Sequence, residues 1–265
     1  SLGIAVYAVQ ELGIRNFAVL FPDDNDGRQL ASAFADIVRN LGGRVVKSIP
    51  FTPGANDFGP QMRALGGLND SQVARKKRQI GLKRTDPYDL ALPFEAIFIP
   101  AYFDKAVLIA PQVPFYNMKG IRLLGAHGWN SQDLIKYGER YVEGAIFVDG
   151  FFSESEEPHI IQFVNDFMRL FGAKPDIFAA LGYDAAKMVF EGVAAGMNTR
   201  TAMRDYLAAV RGFDGIMGLS DMDPNGDTQR QLFVLTVRKK RILHLQMITP
   251  HRASWTSGAT NGPPP

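Results

Sequence analysis

Five short runs of strand-type apolar residues recur through the first 150 positions: NFAVLF (Asn16 to Phe21), RVVKSI (Arg44 to Ile49), FEAIFI (Phe94 to Ile99), IRLL (Ile121 to Leu124) and GAIFVD (Gly144 to Asp149). Between them lie stretches with helical periodicity. The stretch Leu30, Phe34, Ile37, Val38 and Leu41 forms one apolar face and ends at Gly42-Gly43, as a helix packed on a sheet requires. Runs this short and this largely apolar suit strands covered on both sides. Their alternation with helices predicts an α/β fold, a parallel sheet flanked by helices on both faces.

The other helices of this part are expected at Leu2 to Leu12, at Asp104 to Val113 and after Ser131, with Asp26 capping the helix that follows the first strand and Gln29 completing a capping box. After about Phe152 the texture changes. Three helices, Pro158 to Phe171, Phe178 to Ala195 and Thr201 to Val210, follow with little strand between them. Two strands, Leu232 to Val237 and Ile242 to Met247, then form a hairpin with the basic tip Arg238-Lys239-Lys240-Arg241. The predicted organisation is an α/β sandwich over 1–150, a helical block over 151–215, return strands over 216–250 and a disordered tail over 251–265. The helical block has no evident sheet of its own.

Several chemistries are excluded or disfavoured. The absence of cysteine removes disulfides, thiolate nucleophiles and cysteine-bound metals. A net charge of +2 is too small to make nucleic acid or an anionic membrane the main partner. No apolar run is long enough to span a bilayer, and SLGIAVYAVQ lacks the features of an export signal, which is expected to have been removed or never present. The four histidines show no metal-ligand spacing, and no phosphate-binding, dinucleotide or serine-nucleophile motif occurs. No cofactor, metal or catalytic residue is expected, and nothing points to an enzyme. DMDPNGD, Asp221 to Asp227, has the opening spacing of a calcium loop but Leu232 where the bidentate glutamate belongs, so a turn is preferred. RKKRQIGLKR, Arg75 to Arg84, has six basic residues in ten and no interleaved aromatics. It reads as a solvated loop, with docking on an acidic partner or the cell envelope as the alternative.

In open α/β sheets, ligands sit beyond the carboxyl ends of the strands. That rule singles out Asn25 and Asp26 after the first strand, Tyr102 after the strand ending at Ile99, and His127 and Trp129 after the strand ending at Leu124. A phenol, a carboxylate, an imidazole and an indole on one rim suit a pocket for a small polar molecule. The competing readings are structural: Asp26 as a helix cap, His127 bonding a loop carbonyl, Tyr102 and Trp129 covering a sheet edge.

From the first helix to Leu245 the chain resembles the type I periplasmic binding proteins of the leucine/isoleucine/valine-binding branch. The resemblance rests on GIRNFAVLFPDDNDGRQLASAFADIVRNLGGRVV, FEAIFIPAYFDKAVLIAPQ, IRLLGAHGWNS, YVEGAIFVDGFF, ALGYDAAKMVFEGV and GFDGIMGLSDMDPNGDTQRQLFVLTV, in that order. It implies two lobes, each a sheet between helices, closing on a ligand about a hinge. Residues 1–150 would be second-lobe sandwich, the helical block would belong to the first lobe, and the first-lobe sheet would be missing from this chain. It further implies that Tyr102 is the family's ligand tyrosine. At two other ligand positions the chain departs, with Asp26 where an aromatic is common and His127 where an acid pairs with the ligand ammonium.

The resemblance implies an extracytoplasmic, non-catalytic solute-binding protein of ABC-transporter type, holding an amino acid or related small polar ligand and partnering a permease. Lipid anchorage through an absent upstream segment fits the same location. FIPAYFDKAVLIAPQVPFYNMKGIRLLGAHGWNSQDL also resembles the branch of penicillin-binding-protein activators, envelope lipoproteins that act by protein contact. The effector domain of a transcription regulator is a third reading, and it would need a helix-turn-helix segment upstream.

Overall fold

The computed structural model describes residues 2–67, 92–223 and 225–249. The chain divides into two compact units, one formed by 1–149 with 234–246, the other by 150–233 with 247–265. The return to the first unit thus comes at Val234, later than residue 216. The basic run at Arg75 to Arg84 and the tail lie outside the described residues.

The first unit is built on a seven-stranded sheet. Its elements in chain order are α1 (Leu2–Gln10), β1 (Asn16–Pro22), α2 (Asn25–Asn40), β2 (Arg44–Phe51), α3 (Gly59–Leu65), β3 (Ala96–Ile99), α4 (Phe103–Ile109), α5 (Gln112–Phe115), β4 (Arg122–Gly125), α6 (Gln132–Gly138) and β5 (Ile146–Asp149). β1 pairs in parallel with β2 and β3, β3 with β4, and β4 with β5. The late strands β9 (Leu232–Arg238) and β10 (Arg241–Ile248) complete the order β10-β9-β5-β4-β3-β1-β2.

The burial pattern explains the strand composition. Every residue of β3 and β5 is buried, so the alternation of a half-exposed strand never appears. Phe34 of α2 stacks on Phe98 of β3 with ring centroids 4.2 Å apart and meets Phe17 of β1 edge-on at 5.5 Å. That aromatic cluster fixes α2 over β1 and β3, toward the β2 end of the sheet. The helices fall into two sets: α1 packs on α2, while α3 packs on α5, and α4 packs on α5 and α6.

Two sequence expectations change. The helix expected over Asp104 to Val113 is two helices: Pro111 has no N–H to donate, so the hydrogen-bond ladder breaks there, although Ala110 and Pro111 both keep helical backbone. The strand expected to stop at Ile49 runs on to Phe51 despite Pro50, which an edge strand tolerates. The basic hairpin tip forms as expected. Its turn places Lys239 at φ 52° and Lys240 at φ 59°, the left-handed pair of a two-residue hairpin turn that normally selects Asn-Gly.

The second unit contains α7 (Pro158–Phe171), α8 (Ile177–Ala194), α9 (Arg200–Ala208) and a small antiparallel sheet of β6 (Phe213–Gly215), β7 (Gly218–Met222) and β8 (Thr228–Arg230). Gly172 ends α7 at φ +71°, and the side chains of Asp176 and Thr199 cap α8 and α9. The buried carboxylate of Asp184 on α8 accepts the N–H groups of Ile216 (2.7 Å) and Met217 (3.0 Å), clamping the β6–β7 turn. The DMDPNGD stretch is a turn in which Asp223 accepts the backbone N–H groups of Asn225 and Asp227, each at 2.9 Å. No helix among the described residues is long and apolar enough to cross a membrane.

Candidate functional site

Strand order 2-1-3-4-5 places a topological switch between β1 and β3. The connections leaving those strands depart to different helix sets, and a crevice opens where they part. Here it is a cleft of about 580 Å³ in the first unit, at the carboxyl ends of β1 to β4. Its polar lining comes from Asp24, Asp26, Gln29, Tyr102, Asp104, Lys105 and His127, with Gly128 beside them. A larger hollow of about 770 Å³ lies on the second unit beside α8 and α9. It is lined largely by apolar side chains and backs onto no parallel strand end, so size does not decide between them.

Each wall residue has a local cause. Asp24 is the residue that caps α2: its backbone is extended, and its carboxylate accepts the Gly27 N–H at 2.7 Å. The cap therefore sits two residues earlier than expected, because Asp26 is already inside the first turn and no longer has the extended backbone a cap needs. Gln29 closes no capping box. Asp26 is thereby relieved of a structural duty and lines the cleft. Asn25, the first residue of the helix, is exposed and lies outside the cleft lining.

Tyr102 precedes α4, whose first turns fold back on its carbonyl. Its ring is 64% exposed and stands edge-on to the imidazole of His127, centroids 5.9 Å apart at 87°. Gly128 makes this approach feasible, since a Cβ there would lie 2.5 Å from Cδ1 of Tyr102. Loss of hydration against its neighbours holds the His127 pKa below 6.5, which favours neutral imidazole near neutral pH.

Trp129 is a correction. It is 0% exposed, and its indole N–H donates to the Ala101 carbonyl at 2.9 Å. It pins the loop after β4 to the loop after β3 and lies outside the cleft lining. Any side chain at Gly125 would overlap its ring. Asn130 ties the same loop to the end of β5 through the Asp149 carboxylate at 2.8 Å.

Sequence reasoning missed Lys105. Its side chain is only 17% exposed, and its ammonium donates to the Ala55 carbonyl at 3.2 Å in the loop after β2. Asp104 approaches at 3.8 Å, which leaves donor capacity toward the cleft. The signal was present, because Lys105 stands three residues after Tyr102 and so lies on the same side of the helix.

A family model described as a periplasmic binding protein matches residues 2–241. The chain belongs to the periplasmic binding protein family. Solved structures agree on the fold. A leucine-binding protein from Thermotoga maritima is 25% identical, with a TM-score of 0.69 over 94% of this chain and 65% of its own. A putative branched-chain amino acid ABC transporter protein from Rhodospirillum rubrum is 23% identical, with a TM-score of 0.76 over 92% and 64%. A solute-binding protein of an ABC transporter from R. palustris, solved with benzoate, is 17% identical, with a TM-score of 0.66 over 94% and 63%. This periplasmic binding protein chain thus spans less than two thirds of the length of these structures. No curated protein sequence matches it.

Proposed function

We propose that this protein is an extracytoplasmic solute-binding protein that captures a small polar molecule and delivers it to an ABC permease. The observation that carries the reading is the cleft at the β1/β3 switch, where Tyr102 and His127 meet from loops about 25 residues apart in the chain. Its volume of about 580 Å³ lies within the range of small-molecule sites. The family match and the transporter proteins among the structural relatives favour this role over an envelope activator acting by protein contact.

The charges suggest how a ligand is held. The acid that the family resemblance places at position 127 is a neutral imidazole here, so it offers no counter-charge to an ammonium. Asp26, freed by the Asp24 cap, is the carboxylate this reading assigns to a ligand amine. Lys105 is assigned to a ligand acid, and the Tyr102 phenol to a hydrogen bond or a stacked face. An amino acid satisfies all three. A small aromatic acid satisfies Lys105 and Tyr102.

The test is a thermal-shift and calorimetric screen of the full-length protein against amino acids, their amides and small aromatic acids, with Tyr102→Ala alongside. One chemical class should stabilise the wild type, and the variant should lose that response. Silence across the whole screen would remove the reading.

A further inference from the structure

The cleft at the β1/β3 switch carries an imbalance of charge. Among the described residues its lining holds three carboxylates, Asp24, Asp26 and Asp104, against one ammonium, Lys105. His127 brings no positive charge near neutral pH, since burial holds its pKa below 6.5. Arg28, in the first turn of α2, is paired with Asp23 at 2.7 Å, and neither residue lines the cleft. Lys105 does not cancel the excess. Its ammonium is held by the Ala55 carbonyl at 3.2 Å and stands 3.8 Å from Asp104. The cap to the Gly27 N–H engages one oxygen of Asp24 and leaves the other for a ligand.

A molecule that enters this cleft takes water away from the carboxylates, and a carboxylate left without a counter-charge is costly to desolvate. A simple zwitterion offers one ammonium, for Asp26, and its own acid takes Lys105, so Asp24 and Asp104 stay uncompensated. We infer, resting on the solute-binding reading above, that the ligand of this cleft is a basic amino acid or a close analogue, whose side chain ends in a second cation. That cation meets the carboxylates of Asp24 and Asp104. The Tyr102 ring, 64% exposed, offers it an aromatic surface, and a guanidinium both stacks on such a ring and pairs with carboxylate. The acidic residues do not make the site, which the strand-end cleft and the exposed phenol define; they decide the charge of what it accepts. Small aromatic acids are disfavoured on the same ground, because they bring a further carboxylate to a lining that holds one ammonium.

Arginine and citrulline have side chains of the same length and nearly the same shape, and they differ in the charge at the end. Calorimetric titration of the full-length protein with both, beside leucine and benzoate, therefore reads the charge preference directly. Arginine should bind at least about tenfold more tightly than citrulline at low salt, and the ratio should shrink in about 0.5 M salt, where charges are screened. The double variant Asp24→Asn with Asp104→Asn keeps the cap of α2, since asparagine caps as well as aspartate, and should bring the ratio down to about twofold. Binding of citrulline, leucine or benzoate as tightly as arginine overturns the inference and leaves the solute-binding reading standing. Silence toward all four and toward the wider screen removes both. An arginine preference that the double variant leaves unchanged also overturns the inference, because the cation is then held elsewhere.

Discussion

Replacing Gly128 by alanine tests whether the position of the Tyr102 ring, rather than its mere presence, matters. The new Cβ would lie 2.5 Å from Cδ1 and 3.1 Å from Cα of Tyr102, whereas carbon atoms rest about 3.5–4.0 Å apart. The ring must therefore retreat by about 1 Å. Because it is 64% exposed, its retreat opens no cavity, and the expected stability loss stays within about 1 kcal/mol. A phenol displaced by that distance forfeits a ligand hydrogen bond with a net value of about 1 kcal/mol, so affinity should fall about fivefold. Urea denaturation and calorimetric titration of the full-length variant, with Tyr102→Ala as the limiting case, measure both quantities. Unchanged affinity for Gly128→Ala while Tyr102→Ala abolishes binding would refute the positioning argument. A stability loss of about 3 kcal/mol or more would refute the claim that the ring yields freely.

Lys239→Asn combined with Lys240→Gly replaces two left-handed lysines by residues that accept that backbone; the urea midpoint should rise by the equivalent of about 1–2 kcal/mol, and an unchanged midpoint would deny that the turn is strained. Asp184→Ala strands the buried N–H groups of Ile216 and Met217 and should cost about 2–4 kcal/mol in chemical denaturation, with Asp184→Asn recovering part because one acceptor oxygen remains. His127 has its pKa depressed below 6.5 in the folded protein, so the unfolded chain binds more protons in the window beneath that value. Its stabilising effect is complete above 6.5 and is lost as pH falls through the folded pKa. Thermal denaturation across that window should show His127→Gln losing less stability on acidification than wild type, and parallel curves would contradict the assignment.

Much of the fold was legible in the chain because strand burial leaves a direct chemical trace. AIFI is apolar at every position and IFVD at all but its last, Asp149, a composition that suits a strand covered on both faces. The helix that follows β1 could be read from its 3.6-residue stripe, and the rim position of Tyr102 from its place just past the end of β3. Where the sequence misled, the deciding quantity was geometric. Asp24 and Asp26 are chemically equivalent as caps, and only the backbone at the entry to α2 determines which one meets the Gly27 N–H. Trp129 and Tyr102 are both aromatics at strand ends. The Ala101 carbonyl captures the indole outside the cleft lining, while the phenol is left in the cleft. Lys105 became a cleft residue only because the loop after β2 supplies the Ala55 carbonyl that holds it there.

Residue type and spacing thus determined the layers of this protein, since burying apolar side chains depends on which faces are apolar. The lining of its cleft was decided by contacts between segments far apart in the chain, whose hydrogen-bond directions no local pattern encodes.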